Sequence, residues 1–304
     1  MSYSVVVIIP MYNSASTIKR ALSSLENQTV LVDRVVVIDD GSTDNSCEIV
    51  NQFSLKTSFT LDIIKQKNAG PSAARNTGIE HSIEDLIFFL DADDEWLPTK
   101  LEKQLELYAS LIKSKKNVGL IDCFLDDIKD NISVIRMEPV FKGNHFKDFI
   151  IRNSIKGTSC VMVPRKVLEV VGGFDSNLKY AEDRMLWSSI AEKYELYTVE
   201  DILAKRYYGG EGNITSHPTK NYILKKKFIE FFISKFKSKL TEDEIVKFTL
   251  YNLNEFLVSF YSNKDYENVI VCYREMFEIS NSTIWFSKFY PTAKYLVARI
   301  KLKI

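Results

Sequence analysis

The chain carries no net charge: forty Lys and Arg stand against forty Asp and Glu in 304 residues, a balance that argues against a general nucleic-acid binder. It has no run of the ~18 apolar residues that a membrane span requires. Met1-Ser2-Tyr3-Ser4 leads into the first apolar run with no basic leader segment, so a cytoplasmic protein is expected. Cys47, Cys123, Cys160 and Cys272 are scattered and form no Cys-x-x-Cys pair. Neither a zinc site nor a disulfide framework is indicated, and reduced thiols are the default. Repeats and low-complexity segments are also missing. What is present is a length sufficient for one large domain with an appendage. The charge is uneven along it. From Lys220 onward there are 15 Lys/Arg against 9 Asp/Glu, a net of +6, leaving 25 against 31, or −6, before it.

The stretch Leu86-Ile87-Phe88-Phe89-Leu90-Asp91-Ala92-Asp93-Asp94 is the most informative in the chain. A short apolar run of this kind is a buried strand, and it empties into three carboxylates. In an open α/β sheet, ligands sit beyond the carboxyl ends of the strands, so these side chains face a crevice. Closely spaced carboxylates suit a hard divalent cation, and Mg²⁺ takes one or two of them together with substrate phosphate oxygens. The stretch therefore reads either as a metal and nucleotide-diphosphate site or, with Glu95 to Pro98 following, as an acidic turn that opens the next helix.

The preceding chain repeats the pattern. Ser4 to Pro10 is a strand, followed by a helix with Ser16 as its N-cap and Ile18, Leu22 and Leu25 on one face. Val35 to Ile38 is a second strand that runs into Asp39-Asp40-Gly41-Ser42-Thr43-Asp44, where Thr43 or Asp44 caps the next helix and Gly41 allows a tight turn. Leu61 to Ile64 is a third strand, and a helix from Ala73 to Ile79 carries Arg75 and Asn76. This alternation predicts a doubly wound, mostly parallel sheet with flanking helices. Further on, the sequence predicts a helix from Lys100 to Ser114, strands at Val118 to Phe124, Ile132 to Val140 and Ser159 to Pro164, and helices at Phe146 to Arg152 and Arg165 to Val171. A helix opening at Glu182 and a strand from Tyr197 to Ala204 follow, and Gly209, Gly210 and Gly212 mark a mobile loop. The aromatic and basic remainder reads as a helical accessory region, giving domains 1–218 and 219–304. Its end, Lys294 to Ile304, mixes basic and apolar residues as a segment lying on an anionic membrane would; the alternative is that the aromatics of this region pack against the catalytic domain or a second subunit.

Six motifs occur in order: Val7 to Asn13, Ile38 to Asp44, Asn68 to Ile79, Phe89 to Asp94, Gly172 to Asp175, and Glu182 to Trp187. The ordered set resembles bacterial family 2 glycosyltransferases of the GT-A fold over about the first 215 residues. The resemblance implies an inverting, metal-dependent transfer of a hexosyl or N-acetylhexosaminyl group. The donor would be a UDP-sugar and the acceptor a glycan or lipid-linked glycan of the bacterial surface, such as an O-antigen or capsule. Pro10, Tyr12, Asn13, Asp40, Arg75, Asp91 and Ala92 would bind the nucleotide-sugar, with Tyr12 stacking on the base and the Asp40 carboxylate accepting the uracil imide proton. Asp93, with Asp91, would hold Mn²⁺ or Mg²⁺, and Asp183 would be the general base. Glu182 and Trp187 fall on the acceptor side. Many relatives carry a metal-binding His where this chain has Tyr208; His217 is nearby in sequence but is not expected to replace it. Two other functions remain open at this stage. A sugar-phosphate nucleotidyltransferase would want a glycine-rich, basic loop after the first strand, which Met11-Tyr12-Asn13-Ser14 does not offer. A non-catalytic nucleotide-sugar-binding relative is disfavoured by the presence of both Asp93 and Asp183.

Overall fold

The computed structural model describes residues 3–130, 132–134, 139–208, 218–280 and 290–302. The chain divides into two compact units. The first comprises Met1–Phe146, Asn153–Asn177 and Glu182–Glu211, and the second Lys147–Arg152, Leu178–Ala181 and Gly212–Ile304.

The first unit is built on a ten-stranded mixed sheet. Its centre is β1 (Val5–Met11), which pairs in parallel with β2 (Arg34–Asp39) on one side and β4 (Leu86–Phe89) on the other, while β3 (Thr60–Lys65) extends β2, also in parallel. The order β3-β2-β1-β4 places a topological switch beside β1, where α/β sheets open a crevice. Val5 to Ile9 are all buried because both faces of β1 are covered. Val5, Val7 and Ile9 join the core beneath α1 (Ile18–Glu26), with Ile18, Ala21, Leu22 and Leu25. On the other face, Ile8 meets Gly78 of α3 (Pro71–Glu80). The helix α2 (Ser46–Ser54) lies between β2 and β3 in sequence.

Beyond β4 the sheet becomes mixed. β9 (Met162–Pro164) runs antiparallel to β4 and to β6 (Val118–Lys129), β6 runs parallel to β10 (Glu195–Tyr208), and β5 (Glu95–Trp96) closes the edge antiparallel to β10. The short β7 (Ile132–Val134) and β8 (Lys142–Gly143) pair with β6 and β10. The helices α4 (Lys100–Lys113), α6 (Arg165–Val171) and α7 (Glu182–Lys193) complete this unit.

Several expectations need correction. The strand expected at Ser159 to Pro164 is shorter, because Thr158–Cys160 form a 3₁₀ turn whose polar groups serve the neighbouring acidic turn. Among the described residues of the expected Ile132 to Val140 strand, Ile132–Val134 are β structure; residues 135–138 lie outside the described residues. β10 runs well past Ala204. Arg206 is fixed there to Asp127 of β6 through Nε (3.0 Å) and Nη2 (2.9 Å), and Tyr207 to Glu95 of β5. The three glycines, His217 and the side chain of Tyr208 lie outside the described residues. Ser16 does not cap α1; the backbone N–H of Thr17 and of Ile18 both donate to the Ser14 carbonyl. Asp44 accepts from the N–H of Ser46, the first residue of α2, and also from that of Ala15 (both 3.0 Å).

The second unit is helical: α8 (Pro218–Phe236), α9 (Glu242–Ser262), α10 (Tyr266–Ser280) and α11 (Tyr290–Leu302). Phe228, Phe232, Phe236 and Phe248 are buried, with Phe232 and Phe248 stacked at 4.4 Å. Thr241 and Glu244 form a reciprocal capping box at the start of α9. Two short segments that read in sequence as parts of the first domain belong to this unit. In the first, Lys147 pairs with Glu244 at 2.7 Å just ahead of α5 (Asp148–Ile151). In the second, the Tyr180 ring lies beside Phe228 and Phe256. Among the described residues no helix is long and apolar enough to cross a membrane.

The contact between α3 and β1 yields a test. A Cβ at Gly78 would lie 2.4 Å from Ile8 Cγ2, inside a strand that cannot shift without disturbing both neighbours. Gly78→Ala should therefore lower stability by about 1–2 kcal/mol, overpacking outweighing the helical preference of Ala. An unchanged urea midpoint would contradict this contact.

Candidate active site

The carboxyl ends of β1, β2 and β3 carry the residues expected at the base. Pro10 is the sixth residue of β1, and Tyr12, just past its end, is half exposed. Asn13 adopts a left-handed backbone, φ 48°, and is tied to the neighbouring loop in both directions: its N–H donates to Ser42 Oγ (3.0 Å) and its Oδ1 accepts from Thr43 N–H (2.8 Å).

Asp40 differs from its expected role. It is buried, and its carboxylate already accepts from Gln66 Nε2 (2.7 Å), Ala69 N–H (2.9 Å) and Gly70 N–H (2.8 Å). Whatever else it contacts, Asp40 shapes the 66–70 turn and so sets where α3 begins. Gly70 has φ 95° and Pro71 opens the helix, a combination that suits a pre-organised start. Asp39 is likewise occupied. Burial pushes its carboxyl up, but hydrogen bonds from Cys47 Sγ and Ser42 N–H outweigh this and leave it below the usual range. Burial, together with the same bond, drives the Cys47 thiol up to about 11.

The acidic side gathers around Arg75. Only 5% of Arg75 is exposed; its Nη2 donates to Asp91 Oδ1 at 2.6 Å, and its Nη1 lies 3.9 Å from Glu182 Oε1. Its guanidinium sits 5.2 Å from the Phe174 ring centre, and its Nε and Nη1 have no hydrogen-bond partner among the described residues. The next residue, Asn76, fixes this arrangement by donating to the Phe174 carbonyl (2.7 Å) and accepting from its N–H (2.8 Å). A Cβ at Gly173 would fall 2.3 Å from Asn76 Oδ1, which is why glycine precedes Phe174. The Arg75-Asn76 and Gly173-Phe174 motifs, about a hundred residues apart, are thus one construction.

The structure brings together Asp91 at the end of β4 and the Glu182-Asp183 pair at the start of α7. Burial, then the charge of Asp183, raises the Glu182 carboxyl, with Arg75 opposing. Burial also raises Asp183, against hydrogen bonds to its carboxylate from Arg184 N–H (2.6 Å) and Asn153 Nδ2 (2.9 Å). Asp93 is exposed as a residue, yet the protein crowding its carboxyl and the charge of Asp91 raise it, with Arg20 and Arg206 opposing. Ala92 is buried between the two acids. Asp94 points inward and is buried, accepts from Ser159 Oγ, and is held well above the ordinary range by burial and by Asp91 and Asp93.

Trp187 does not face an acceptor. It is fully buried, with Phe174 at 5.8 Å and Phe89 at 6.5 Å. Three participants were not anticipated: Ser159, Asn153 and Arg20. Arg20 donates to the Asp93 carbonyl and lies 3.8 Å over the Tyr207 ring. None of these contacts has a signal in sequence spacing.

Among the described residues no group of three or more His, Cys, Asp or Glu is arranged to hold a metal ion. The arrangement at Asp91 and Asp93 instead fits a cation that takes at most two protein carboxylates and completes its shell from phosphate oxygens. Burial first and then the charge of Asp91 raise the Asp93 carboxyl, and the second of these is a like-charge conflict that such an ion would relieve.

A sequence profile of the family described as Glycosyl transferase family 2 matches residues 6–172. An uncharacterised glycosyltransferase of Haemophilus influenzae is 31% identical over 192 residues, which cover 62% of this chain and 77% of that protein. One from Rickettsia bellii is 30% identical over 79% of this chain but only 36% of its own length. Among solved structures, S. aureus TarS residues 1–349 in complex with UDP-GlcNAc superposes with a TM-score of 0.68, at 17% identity, over 97% of this chain and 89% of that one. With a GT-A sheet, its acidic turn at the end of β4 and the family profile in agreement, the chain belongs to glycosyl transferase family 2.

Proposed function

We propose that this glycosyltransferase moves a sugar from a UDP-sugar to a bacterial surface glycan with inversion, using a divalent cation at Asp93 and Asp91 and Asp183 as general base. The observation that carries the reading is the buried Arg75, which ties Asp91 to the Glu182-Asp183 pair. Carboxylates that the reading assigns to the donor and acceptor sides are thereby held against one guanidinium. A UDP donor is supported by the shared fold of TarS, which has been crystallised with UDP-GlcNAc and with UDP. The ring of Tyr12 would stack on the uracil, beside the 66–70 turn that Asp40 holds in shape.

Bound Mn²⁺ or Mg²⁺ would neutralise the charge that develops on the departing nucleoside diphosphate. The chain's own residues do the rest. Asp183 takes the proton of the acceptor hydroxyl as that oxygen attacks the anomeric carbon opposite the leaving group. Asn153 and the Arg184 N–H hold the two carboxylate oxygens of Asp183 in place, and the Arg75 cation favours its ionised form. The second unit would serve at a membrane surface. On α11, Leu296, Arg299, Ile300 and Lys301 are exposed, whereas Lys294 is buried with its amine 5.0 Å from the Tyr261 ring, so only one face of this helix is available.

Separate measurements test these assignments. Asp93→Asn should keep the fold but abolish nearly all transfer, and Asp183→Asn should retain UDP-sugar binding while transfer falls by about two to four orders of magnitude. Full activity of either variant, or a retained anomeric configuration in the product by NMR, would overturn the corresponding assignment. Because the Asp183 carboxyl is raised, the base is lost as pH falls through that raised value. The acid limb of kcat/KM should therefore lie above the ordinary aspartate value of 3.8 and move in Asp183→Glu. Co-sedimentation with anionic liposomes at low salt, lost in Ile300→Asp, would support the membrane role; absence of binding would end it.

A further inference from the structure

The acidic turn is anchored by one residue that no motif contains. Ser159 is fully buried in the Thr158–Cys160 turn ahead of β9. Its Oγ accepts the Asp91 N–H at 3.0 Å and donates to the Asp94 carboxylate, so a single hydroxyl grips the turn at its first and fourth residues. The turn is closed by the Asp94 N–H donating to the Asp91 carbonyl at 3.0 Å. Between those two grips stand Ala92 and Asp93, and the Asp93 carbonyl is held from the other side by Arg20. The anchor is itself fixed. Trp96 Nε1 donates to the Ser159 carbonyl (2.8 Å), and Gln104 Nε2 donates to the Cys160 and Ile121 carbonyls (both 2.9 Å). The fully buried Lys100 donates to Gln104 Oε1 at 2.6 Å, with its amine 3.9 Å from the Trp96 ring centre.

A hydroxyl that is both donor and acceptor is suited to this position, because the two groups it meets are an N–H and a carboxylate. Turning Asp94 inward onto Ser159 leaves Asp93 as the outward carboxylate of the Asp93-Asp94 pair. We propose that Ser159 is a positioning residue for the reaction: by fixing the turn at Asp91 and Asp94, it sets the direction in which Asp93 is presented to a divalent cation and the donor diphosphate. This rests on the reading of Asp93 as a cation ligand given above. Groups that orient metal ligands typically alter metal affinity by about 10- to 100-fold when removed.

The test measures Mn²⁺ binding by calorimetry in the presence of saturating UDP, together with melting temperature and the split between kcat and donor KM. In S159A, Mn²⁺ affinity should fall by about 10-fold or more. S159T, which keeps the hydroxyl, should recover most of that loss. S159C retains the volume with a weak donor and should fall between them. A separate Asp93→Asn arm tells the two readings apart. If Asp93→Asn binds Mn²⁺ and transfers normally, the cation reading itself fails. If Asp93→Asn loses binding while folded S159A and S159C bind Mn²⁺ like the unaltered protein, only the positioning role of Ser159 is overturned. Loss of the fold in all three Ser159 variants, or a loss in S159A that S159T does not recover, would make Ser159 a purely structural residue and overturn the proposal as well.

Discussion

The site depends on one buried cation. An arginine removed from water costs several kcal/mol unless carboxylates meet it in good geometry, and Arg75 is met by Asp91 and approached by Glu182. The dependence is mutual. Asp91, Glu182 and Asp183 come from two distant parts of the chain, and without the guanidinium they would bring three like charges towards one buried space. Arg75 can reach them only because α3 starts where it does. That start is fixed by Asp40, whose carboxylate receives the N–H groups of Ala69 and Gly70 immediately before the helix. A residue at the end of β2 thus governs the charge balance at the end of β4.

The topology explains why these parts converge. β1, β2, β3 and β4 run in one direction, so their carboxyl ends, with Tyr12, Asp40 and Asp91, lie on one rim. A wholly parallel continuation would bring another carboxyl end beside β4. The antiparallel β9 does the opposite and delivers its amino-terminal approach to that rim. A 3₁₀ turn there presents both a side chain and backbone carbonyls to the acidic residues, which explains why the strand begins only at Met162. β5 then ties the residues just after the turn to β10 through Glu95 and Trp96.

The parts of this design legible in the sequence are those encoded locally. Continuous β-branched runs specify strands covered on both faces, and Val5 to Ile9 and Val35 to Ile38 are buried strands as expected. The acidic turn and the Arg75-Asn76 pair were visible as motifs. Partnerships were not, because hydrogen bonds between Asp40 and Gly70, or Ser159 and Asp91, join residues 30 and 68 positions apart. Trp187 was misplaced for a related reason. The resemblance set it on the acceptor side, but every residue of α7 from Arg184 to Ala191 is buried, so helical periodicity gives no guide to its inner and outer faces. The boundary of the second unit was blurred because Lys147 and Tyr180 commit to it through tertiary contacts alone.

The same distinction separates the two adjacent acids at the start of α7. Both carboxyls are raised chiefly by burial, so proton affinity alone does not choose between them. Their surroundings do. Glu182 approaches Arg75, a cation it shares with Asp91, and moving it would disturb the charge balance on the donor side. Asp183 accepts hydrogen bonds from the Asn153 amide and the Arg184 N–H, one on each oxygen, and also feels the charges of Arg75 and Arg184. A carboxylate oxygen has two lone-pair sites, so each oxygen of Asp183 keeps one for an incoming hydroxyl proton. On the proposed reading, Glu182 is the electrostatic partner of Arg75 and Asp183 is the base.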